Sequence, residues 1–459
     1  MELTQELSPA SVLGAGIERA MGRARDFLRE RPSEELLRLV GSTVGELAVT
    51  TPGVDRAPFP ASYGGGGPCD DDLLAGLGTF YVTEAGKVML DCTSGHYQMT
   101  WGYNHPALLD AIRQATDLGI VWDNHSNIPS FPVRRLAHEL TSLGAEAGLD
   151  RVLLGVCTGS VACGAALKIM LARYWDDPAL AALGPPAVVA LDGNYHGTDM
   201  LAQTLRGMWP RLGAAVEPVQ VQPNDGAELR ATFERFGRRV AGFWAEPIMM
   251  NREAIVVEPE YLQLARTLCS EHGALMAVDE IQTGFWYPEV FYCRRIGLAP
   301  DILVVGKGMT AGFHSLAGLL YRPDLDILAQ YDAISTNGSA SLAAYVGLCC
   351  IRLIEEGADR LRRLAARHEE GLRELAARFP ALIEAVNGDG FLTGLRFRDR
   401  EDALGFHRSA VERGLWLRAH AYHPGHRTVL TKFPLTVEEP VVEFLLERLG
   451  ELCKTTPWR

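Results

Sequence analysis

Between residues 150 and 322, short apolar runs alternate with stretches of helical character, and this alternation limits the folds that the chain can adopt. Strands that are joined through helices lie parallel to one another, so the pattern predicts an α/β domain with a mostly parallel sheet. The predicted strands are RVLLGVC, AVVALD, AGFWAE, ALMAVDE and DILVVGK. Each run ends in small or polar residues, and an open parallel sheet binds its ligand outside these carboxyl ends. The five strand ends therefore predict one site.

The length of 459 residues predicts more than one domain, because a single hydrophobic core stops growing at roughly 250–300 residues. We expect residues 1–75 to form an N-terminal segment and a link, SYGGGGPC. Residues 76–344 are the predicted large, ligand-binding domain, and its first part is expected to pack with the small domain. Residues 345–459 are the predicted small α+β domain, which contains a long charged helix and the strands FLTGLRFR, LWLRA and HRTVLTKF.

Composition limits the partners of the chain. The net charge of -13, with no block of Lys and Arg, argues against nucleic acid. No apolar run approaches the ~18 residues that cross a bilayer, and the N-terminus lacks the pattern of a secretory signal. The nine cysteines show no CxxC spacing, which favours reduced thiols over disulfides or a zinc site. We expect a cytoplasmic protein that acts on small molecules and needs no metal.

Two charged residues directly follow predicted strands. Lys307 comes after DILVVG, and burial turns a lysine into the uncharged nucleophile that Schiff-base formation requires. Asp279 ends ALMAVD, 28 residues earlier, which is enough for one crossover between neighbouring strands. A carboxylate there can keep a pyridinium nitrogen protonated. Taken singly, Lys307 could extend its amine into water and Asp279 could cap a helix. The pair favours catalysis.

Weaker signals follow three other strands. Thr158, Gly159 and Ser160 precede an apolar helix, whose free N–H groups and dipole favour a phosphate, although the GK[ST] of a Walker loop is missing. Tyr195 follows AVVALDGN and could either cover a flat ring or pack in the core. Glu246 follows AGFWA and could orient a polar neighbour, cap a helix or form a surface ion pair.

The segment VDEIQTGF, followed by APDILVVGKGMTAG, places an aspartate, a glutamine and a distant lysine in order. In this motif, and from about residue 76 to the C-terminus, the chain resembles the class III (ornithine and 4-aminobutyrate type) aminotransferases, a family of fold-type I pyridoxal-phosphate enzymes. The resemblance implies pyridoxal 5'-phosphate as cofactor and a large domain with a mostly parallel sheet beside a smaller α+β domain. It also implies ping-pong transfer of an amino group between an amine or amino acid and a carbonyl acceptor.

The resemblance implies roles for the two charged residues and their neighbours. Lys307 carries the cofactor as a Schiff base and moves the proton in catalysis, while Asp279 pairs with the ring nitrogen. Gln282 approaches the ring hydroxyl. Gly159 and Ser160 fall on the phosphate-binding positions of the family.

Four further residues take their expected roles from the same resemblance. Tyr195 and His196, in NYHG, match the aromatic-histidine-glycine step, in which the aromatic side chain covers the cofactor ring. Glu246 matches the glutamate of a Glu-Pro step. Thr336, in STNGSASLAA, matches a threonine that reaches the phosphate from the neighbouring subunit, which implies a homodimer with shared active sites.

The chain also departs from the family. Val161 and Cys163 occupy positions that are often Glu and Asn in the family. Trp286 and Tyr287 replace a usual Gly-Arg, and we expect their rings near the substrate entrance. The segment TVLTKFPLT lacks the arginine that often binds a substrate carboxylate. Lys432 is its candidate replacement, although a lysine cannot form the same bidentate fork.

Other functions fit some of these features. A lyase, decarboxylase, epimerase or aminomutase of the same fold would differ in the bond that is broken, and only net transamination needs a keto-acid acceptor. A non-catalytic binding protein is disfavoured because Lys307 and Asp279 are both present. A dinucleotide-dependent dehydrogenase is disfavoured because NGDGFLTG has Thr393 in place of the third glycine.

Overall fold

The computed structural model describes residues 7–49, 71–123, 128, 130–206, 216–330, 332–419 and 425–455, and the predicted link SYGGGGPC lies outside these ranges. The helices are α1 (Pro9–Leu13), α2 (Ala15–Arg29), α3 (Ser33–Leu39), α4 (Ser94–Tyr97), α5 (Pro106–Asp117), α6 (Phe131–Gly144), α7 (Gly159–Asp176), α8 (Pro178–Ala181), α9 (Met200–Leu205), α10 (Gly226–Phe236), α11 (Pro259–His272), α12 (Tyr292–Arg295), α13 (Ser341–Arg378), α14 (Arg400–Glu412) and α15 (Glu439–Thr455). The strands are β1 (Leu73–Leu77), β2 (Phe80–Thr83), β3 (Val88–Asp91), β4 (Arg151–Val156), β5 (Ala187–Leu191), β6 (Glu217–Val221), β7 (Val240–Ala245), β8 (Ile248–Met249), β9 (Ile255–Val256), β10 (Leu275–Asp279), β11 (Ile302–Val305), β12 (Ala317–Tyr321), β13 (Ile383–Asp389), β14 (Leu392–Phe397), β15 (Leu415–Trp416), β16 (Arg418–Ala419) and β17 (Thr428–Lys432).

Seven strands form the central sheet in the described part of the chain, in the order β4-β12-β11-β10-β7-β5-β6. β12 runs antiparallel to both of its neighbours, and the remaining pairs are parallel. The five predicted strands are β4, β5, β7, β10 and β11, so the prediction of a mostly parallel sheet is confirmed. β6 and β12 were not predicted. β6 reads EPVQV, whose polar residues and proline are typical of an edge strand rather than a buried one.

Helices cover both faces of the central sheet. In β10, Leu275 and Ala277 pack in the hydrophobic cluster that contains α7, whereas Met276 and Val278 pack in the cluster that contains α11. This alternation follows from the two-residue period of a strand. Because both faces are buried, every position of a central strand is apolar until the strand ends. The polar residues that follow the strands are thus held at one edge.

Two four-stranded sheets flank this core, and β8 and β9 pair as a separate two-stranded sheet. One of the four-stranded sheets is antiparallel, with the strand order β13-β14-β17-β16, and α13 packs against β13. β1, β2 and β3 form the second small sheet, and β15 from the C-terminal region joins it parallel to β3. The predicted boundary between residues 344 and 345 falls inside α13, which is one continuous 38-residue helix. The division into residues 1–75, 76–344 and 345–459 stays a prediction.

None of the helices in the described ranges combines the length and the apolar character that a membrane span requires.

Candidate active site

A cavity of about 610 Å³ lies at the carboxyl ends of the central strands. It brings together eight of the nine predicted site residues, which come from the ends of β4, β5, β7, β10 and β11: Gly159, Ser160, Tyr195, His196, Glu246, Asp279, Gln282 and Lys307. Thr336 is exposed and does not line this cavity. The resemblance assigns Thr336 to the site of a neighbouring subunit.

Lys307 lies just beyond β11, where the strand gives way to a short 3-10 turn, Lys307–Thr310. Its φ of 37° lies in the left-handed region, which costs roughly 1–2 kcal/mol for a residue with a side chain. Burial lowers the pKa of the Lys307 amine, while the charges of Asp279 and Glu246 raise it. The balance favours the uncharged, nucleophilic amine more than water does.

Asp279 is brought to Lys307 by strand pairing. It ends β10, which lies next to and parallel with β11, and it pairs in register with Val304. Lys307 follows Val304 after two residues, so both side chains enter the cavity from adjacent strands. Main-chain hydrogen bonds of the sheet therefore set the separation of the amine and the carboxylate.

Three donors hold the Asp279 carboxylate. Oδ1 accepts from the main-chain N–H of Ile281 at 2.9 Å, and Oδ2 lies 2.8 Å from Nδ1 of His196 and 3.4 Å from Sγ of Cys163. Burial, followed by the charge of Asp279, raises the pKa of the Cys163 thiol, so the thiol remains a donor. The His196 ring lies against Trp244, with 5.3 Å between ring centroids. The carboxylate is thus fixed in direction.

The N-terminus of α7 forms another part of the cavity. The Thr158 hydroxyl caps the helix, and Ser160 Oγ accepts a hydrogen bond from the N–H of Thr198 at 3.0 Å. Gly159 packs so closely that a Cβ there would lie 2.4 Å from Cδ1 of Ile281. The free N–H groups and the dipole of this 18-residue helix favour an anion such as phosphate.

Glu246 and Tyr195 are joined by a hydrogen bond. Oε1 of Glu246 accepts from the main-chain N–H of Tyr195 at 2.8 Å, and burial raises the pKa of Glu246 to about 7. The Arg206 guanidinium lies 5.5 Å from the centroid of the Tyr195 ring and also lines the cavity. Glu246 therefore positions the backbone that carries Tyr195.

Gln282 lines the cavity, and its Oε1 is buried without a hydrogen-bond partner among the described residues. Its main-chain carbonyl accepts a hydrogen bond from Lys432 Nζ at 2.6 Å. Lys432 itself is fully buried and is not part of the cavity lining. The expectation that Lys432 binds a substrate carboxylate is therefore wrong for this structure, because its amine points into the protein.

The two rings expected at the entrance are also inside the protein. Trp286 and Tyr287 are 2% and 4% exposed, and neither lines the cavity. The Trp286 ring lies 4.2 Å from Nζ of Lys432, and the Tyr287 hydroxyl donates to the carbonyl of Asp389 at 3.1 Å. The expectation of an aromatic entrance at these positions is wrong, because both rings are buried against residues of the C-terminal sheet, Lys432 and Asp389.

His96, Tyr97 and Arg418 line the side of the cavity opposite the central strands, and we name these three residues the outer wall. None of the three was predicted from the sequence. The Arg418 side chain contacts the His96 ring and lies 5.5 Å from the centroid of the Tyr97 ring. Arg418 stands in the predicted strand LWLRA, but nothing local marks it as a cavity residue. Arg418 and His96 are 322 positions apart in the sequence, so no local sequence pattern could predict their contact.

The donor set fits a phosphorylated pyridine. The Asp279 carboxylate suits a ring nitrogen, the unpartnered Oε1 of Gln282 can accept from a ring hydroxyl, and the N-terminus of α7 suits a phosphate. The Lys307 amine, which lines the same cavity, suits the cofactor carbonyl. The fold and the site together define an enzyme of the pyridoxal-phosphate class.

Comparison with known proteins narrows this class. The family model for Aminotransferase class-III matches residues 72–452. The ornithine aminotransferase of Emericella nidulans is 30% identical over 336 residues, which are 69% of this chain and 71% of that protein. The acetylornithine aminotransferase of Agrobacterium fabrum is 29% identical over 334 residues, which cover 70% and 80% of the two chains.

Solved structures share the fold. The ornithine aminotransferase of Toxoplasma gondii has a TM-score of 0.75 at 22% identity, with 87% of this chain and 93% of that chain covered. An amine transaminase from an uncultivated Pseudomonas species, solved in its PLP-bound form, has a TM-score of 0.74 at 22% identity and covers 87% and 99%.

The chain belongs to the class III aminotransferases. It is a fold-type I transaminase, its cofactor is pyridoxal 5'-phosphate, and its reaction is the transfer of an amino group, as the motif around Asp279 and Lys307 predicted.

Proposed function

We propose that this chain transfers an amino group, by a ping-pong mechanism, between an amine or amino acid and a carbonyl acceptor, and that these substrates carry an anionic group. One observation carries the catalytic part: the Lys307 amine and the Asp279 carboxylate enter one cavity from adjacent parallel strands. The lowered pKa of Lys307 supports its role as the base that removes a proton from the amine-bearing carbon of the substrate.

The residues proposed to hold the cofactor are distributed around the cavity. Asp279 would pair with the ring nitrogen, Gln282 with the ring hydroxyl, and Gly159 and Ser160 with the phosphate. When bound, pyridoxal 5'-phosphate withdraws electrons from the substrate carbon and makes its proton acidic. Tyr195 would cover the ring face.

Two residues act through these contacts. His196 would orient the Asp279 carboxylate through the 2.8 Å contact at Oδ2. Glu246 would hold the backbone of Tyr195 through its 2.8 Å hydrogen bond. Both are proposed as positioning residues, since neither has to touch the reacting carbon.

The proposal of anionic substrates rests on the charges of the cavity. Arg418 and Arg206 both line it, from different elements, and guanidinium groups bind carboxylates in a bidentate manner. The acidic groups that line the cavity, Asp279 and Glu246, are 3% exposed each and engaged in hydrogen bonds. An anionic group of the substrate would therefore meet the two arginines.

A homodimer in the cytoplasm is also part of the proposal. Thr336 is exposed and absent from its own cavity, which suits a residue that serves a second subunit. Large apolar side chains at Trp122, Ile128 and Phe131 are 55%, 59% and 82% exposed, and exposed apolar surface is typical of a protein interface. The cytoplasmic part of the proposal rests on the cysteine spacing of the sequence, which favours reduced thiols.

Half-reactions test the proposed function. The purified holoenzyme is mixed with amino acids, diamines and amino sugars, without an acceptor, and conversion of the cofactor to its pyridoxamine form is followed by absorbance. We expect conversion with at least one amine, and faster conversion with an anionic amine than with its neutral analogue. Turnover without any keto-acid acceptor would instead favour a lyase, decarboxylase, epimerase or aminomutase and would contradict amino transfer.

A further inference from the structure

Lys432 is a buried basic residue without a role in the proposed chemistry. It ends β17, and its side chain is fully buried. Burial, and secondarily the charge of Lys307, lower the pKa of its amine. Its nearest aromatic neighbours are Trp286 and Tyr97, whose ring centroids lie 4.2 Å and 5.2 Å from Nζ. Burying a basic side chain costs free energy unless its polar groups find partners. The contacts of Lys432 therefore indicate its role.

The polar contacts of Lys432 reach two separate segments. Nζ donates to the carbonyl of Gln282 at 2.6 Å, in the loop after β10. The main-chain N–H of Lys432 donates to the carbonyl of Cys92 at 2.7 Å, and its carbonyl accepts from Ser94 Oγ at 2.5 Å. One residue of the C-terminal sheet thus touches the cofactor side of the cavity and the segment that begins the outer wall.

The segment held by Ser94 has an unusual backbone. Ser94, Gly95, His96 and Tyr97 have φ values of 54°, 55°, 65° and 71°, so α4 is a left-handed turn. Left-handed backbone is unfavourable for residues with a side chain and persists where surrounding contacts hold it. This turn presents His96 and Tyr97 to the cavity. The contact between Ser94 and Lys432 is one of those that hold it.

We propose that Lys432 is a positioning residue that joins the C-terminal sheet to the active site. Its amine holds the Gln282 backbone, and with it the side-chain oxygen that faces the cofactor, while its main chain holds the left-handed turn of the outer wall. The inference rests on the proposed roles of Gln282 and of the outer wall.

Substitution by a residue of similar size tests the amine. Lys432→Met keeps the packing volume but removes the donor to Gln282. We expect the apoenzyme to bind pyridoxal 5'-phosphate about 5- to 10-fold more weakly, the size of one lost hydrogen bond, with a smaller visible circular dichroism signal of the bound cofactor. The thermal midpoint should be unchanged or higher, since an apolar residue replaces a buried basic one.

A matched control is available in the same chain. The Lys87 amine also donates to main-chain carbonyls of a remote segment, Val411 at 3.2 Å and Glu412 at 2.9 Å, but it lies outside the cavity lining. Lys87→Met should leave cofactor affinity and the dichroism signal at wild-type values. Wild-type affinity and dichroism in Lys432→Met would overturn the proposal and leave the proposed function intact. Failure of the wild-type protein to bind the cofactor would overturn both.

A second variant covers the case in which Lys432→Met does not fold. Ser94→Ala removes the hydroxyl that donates to the Lys432 carbonyl and leaves Gln282 untouched. We expect a KM for amine substrates about 3- to 10-fold higher, with cofactor affinity unchanged, because the outer wall faces the substrate. An unchanged KM would contradict the proposed tie between Lys432 and the turn.

Discussion

The cavity has two sides that are built in different ways. On the sheet side, Asp279 ends a central strand, Lys307 and Glu246 follow two others, and main-chain hydrogen bonds between strands set their separation. On the outer wall, His96 and Arg418 come from segments 322 positions apart and are held by side-chain contacts and a left-handed turn. The difference indicates that regular structure fixes the proposed reaction centre, whereas long-range contacts shape the surface that is proposed to meet the substrate. Catalysis and specificity should therefore respond to different substitutions.

The largest effect is expected on the sheet side. Asp279→Ala removes the charge that is proposed to hold the ring nitrogen protonated, and we expect kcat to fall by about 10²–10³-fold, the range for losing a preorganised electrostatic contact. Steady-state kinetics with saturating cofactor measures this. Asp279→Asn should lose a similar amount, since an amide carries no charge. Cys163→Ala is the control: it removes a thiol contact to the same carboxylate and should lower kcat by less than about 10-fold. Near-normal turnover in Asp279→Asn would contradict this role.

Two buried carboxylates on the sheet side, Glu246 and Glu280, allow an effect on cofactor binding to be distinguished from an effect on stability. Burial raises the pKa of both Glu246 and Glu280 from 4.5 to about 7. The folded state therefore keeps protons that the unfolded state releases between these values, and stability decreases as pH rises through this window. The shift corresponds to at most on the order of 3 kcal/mol per group, at about 1.36 kcal/mol per pH unit. Unfolding by urea between pH 4.5 and 8 measures the slope.

Substitution distinguishes the two carboxylates. Glu280 accepts the N–H groups of Tyr292 and Cys293 at 2.6 Å and 2.7 Å and does not line the cavity. We expect Glu280→Gln to reduce the pH slope while kcat at saturating substrate stays near wild type. Glu246→Gln should reduce the slope as well and also weaken cofactor binding. Equal effects of the two variants on cofactor binding would contradict the assigned roles.

The next effect belongs to the outer wall. Arg418→Ala should raise KM for anionic substrates by about 10- to 100-fold, because a charge-assisted hydrogen bond contributes roughly 1.5–3 kcal/mol. The KM for neutral amines and the cofactor affinity should change little. Arg418→Lys keeps the positive charge but cannot form the bidentate contact of a guanidinium, so its KM should lie between those of the wild type and Arg418→Ala. A kcat loss as large as that of Asp279→Ala would remove the distinction between the two sides.

The contrast also explains what could be predicted from the sequence. Asp279 and Lys307 could be predicted because they stand at the ends of short apolar runs, which are recognisable in the local sequence. Their expected roles came from the family motif. β6 was missed because an edge strand needs no continuous apolar run. Lys432, Trp286 and Arg418 were misread or missed, because the direction of each side chain depends on segments that are remote in sequence.

The smallest effect concerns the backbone of the outer wall. His96 has a φ of 65°, which glycine adopts without the steric penalty of a side chain. We expect His96→Gly to raise the free energy of unfolding by about 0.5–1 kcal/mol and to raise KM, since the contact with Arg418 is lost. Urea unfolding measures the change. His138→Gly, in the interior of helix α6, should instead destabilise by about 1 kcal/mol. Destabilisation by both substitutions would contradict the strained turn.

The central claim is that Lys307 is the amine that holds the cofactor in front of Asp279. Borohydride reduction of the holoenzyme, followed by proteolysis and mass spectrometry, identifies the lysine that carries the reduced pyridoxyl group. We predict the modification on Lys307 in the wild-type protein and its absence in Lys307→Ala. Modification of Lys432 or of any other lysine in the wild-type protein, with Lys307 unmodified, would contradict the account.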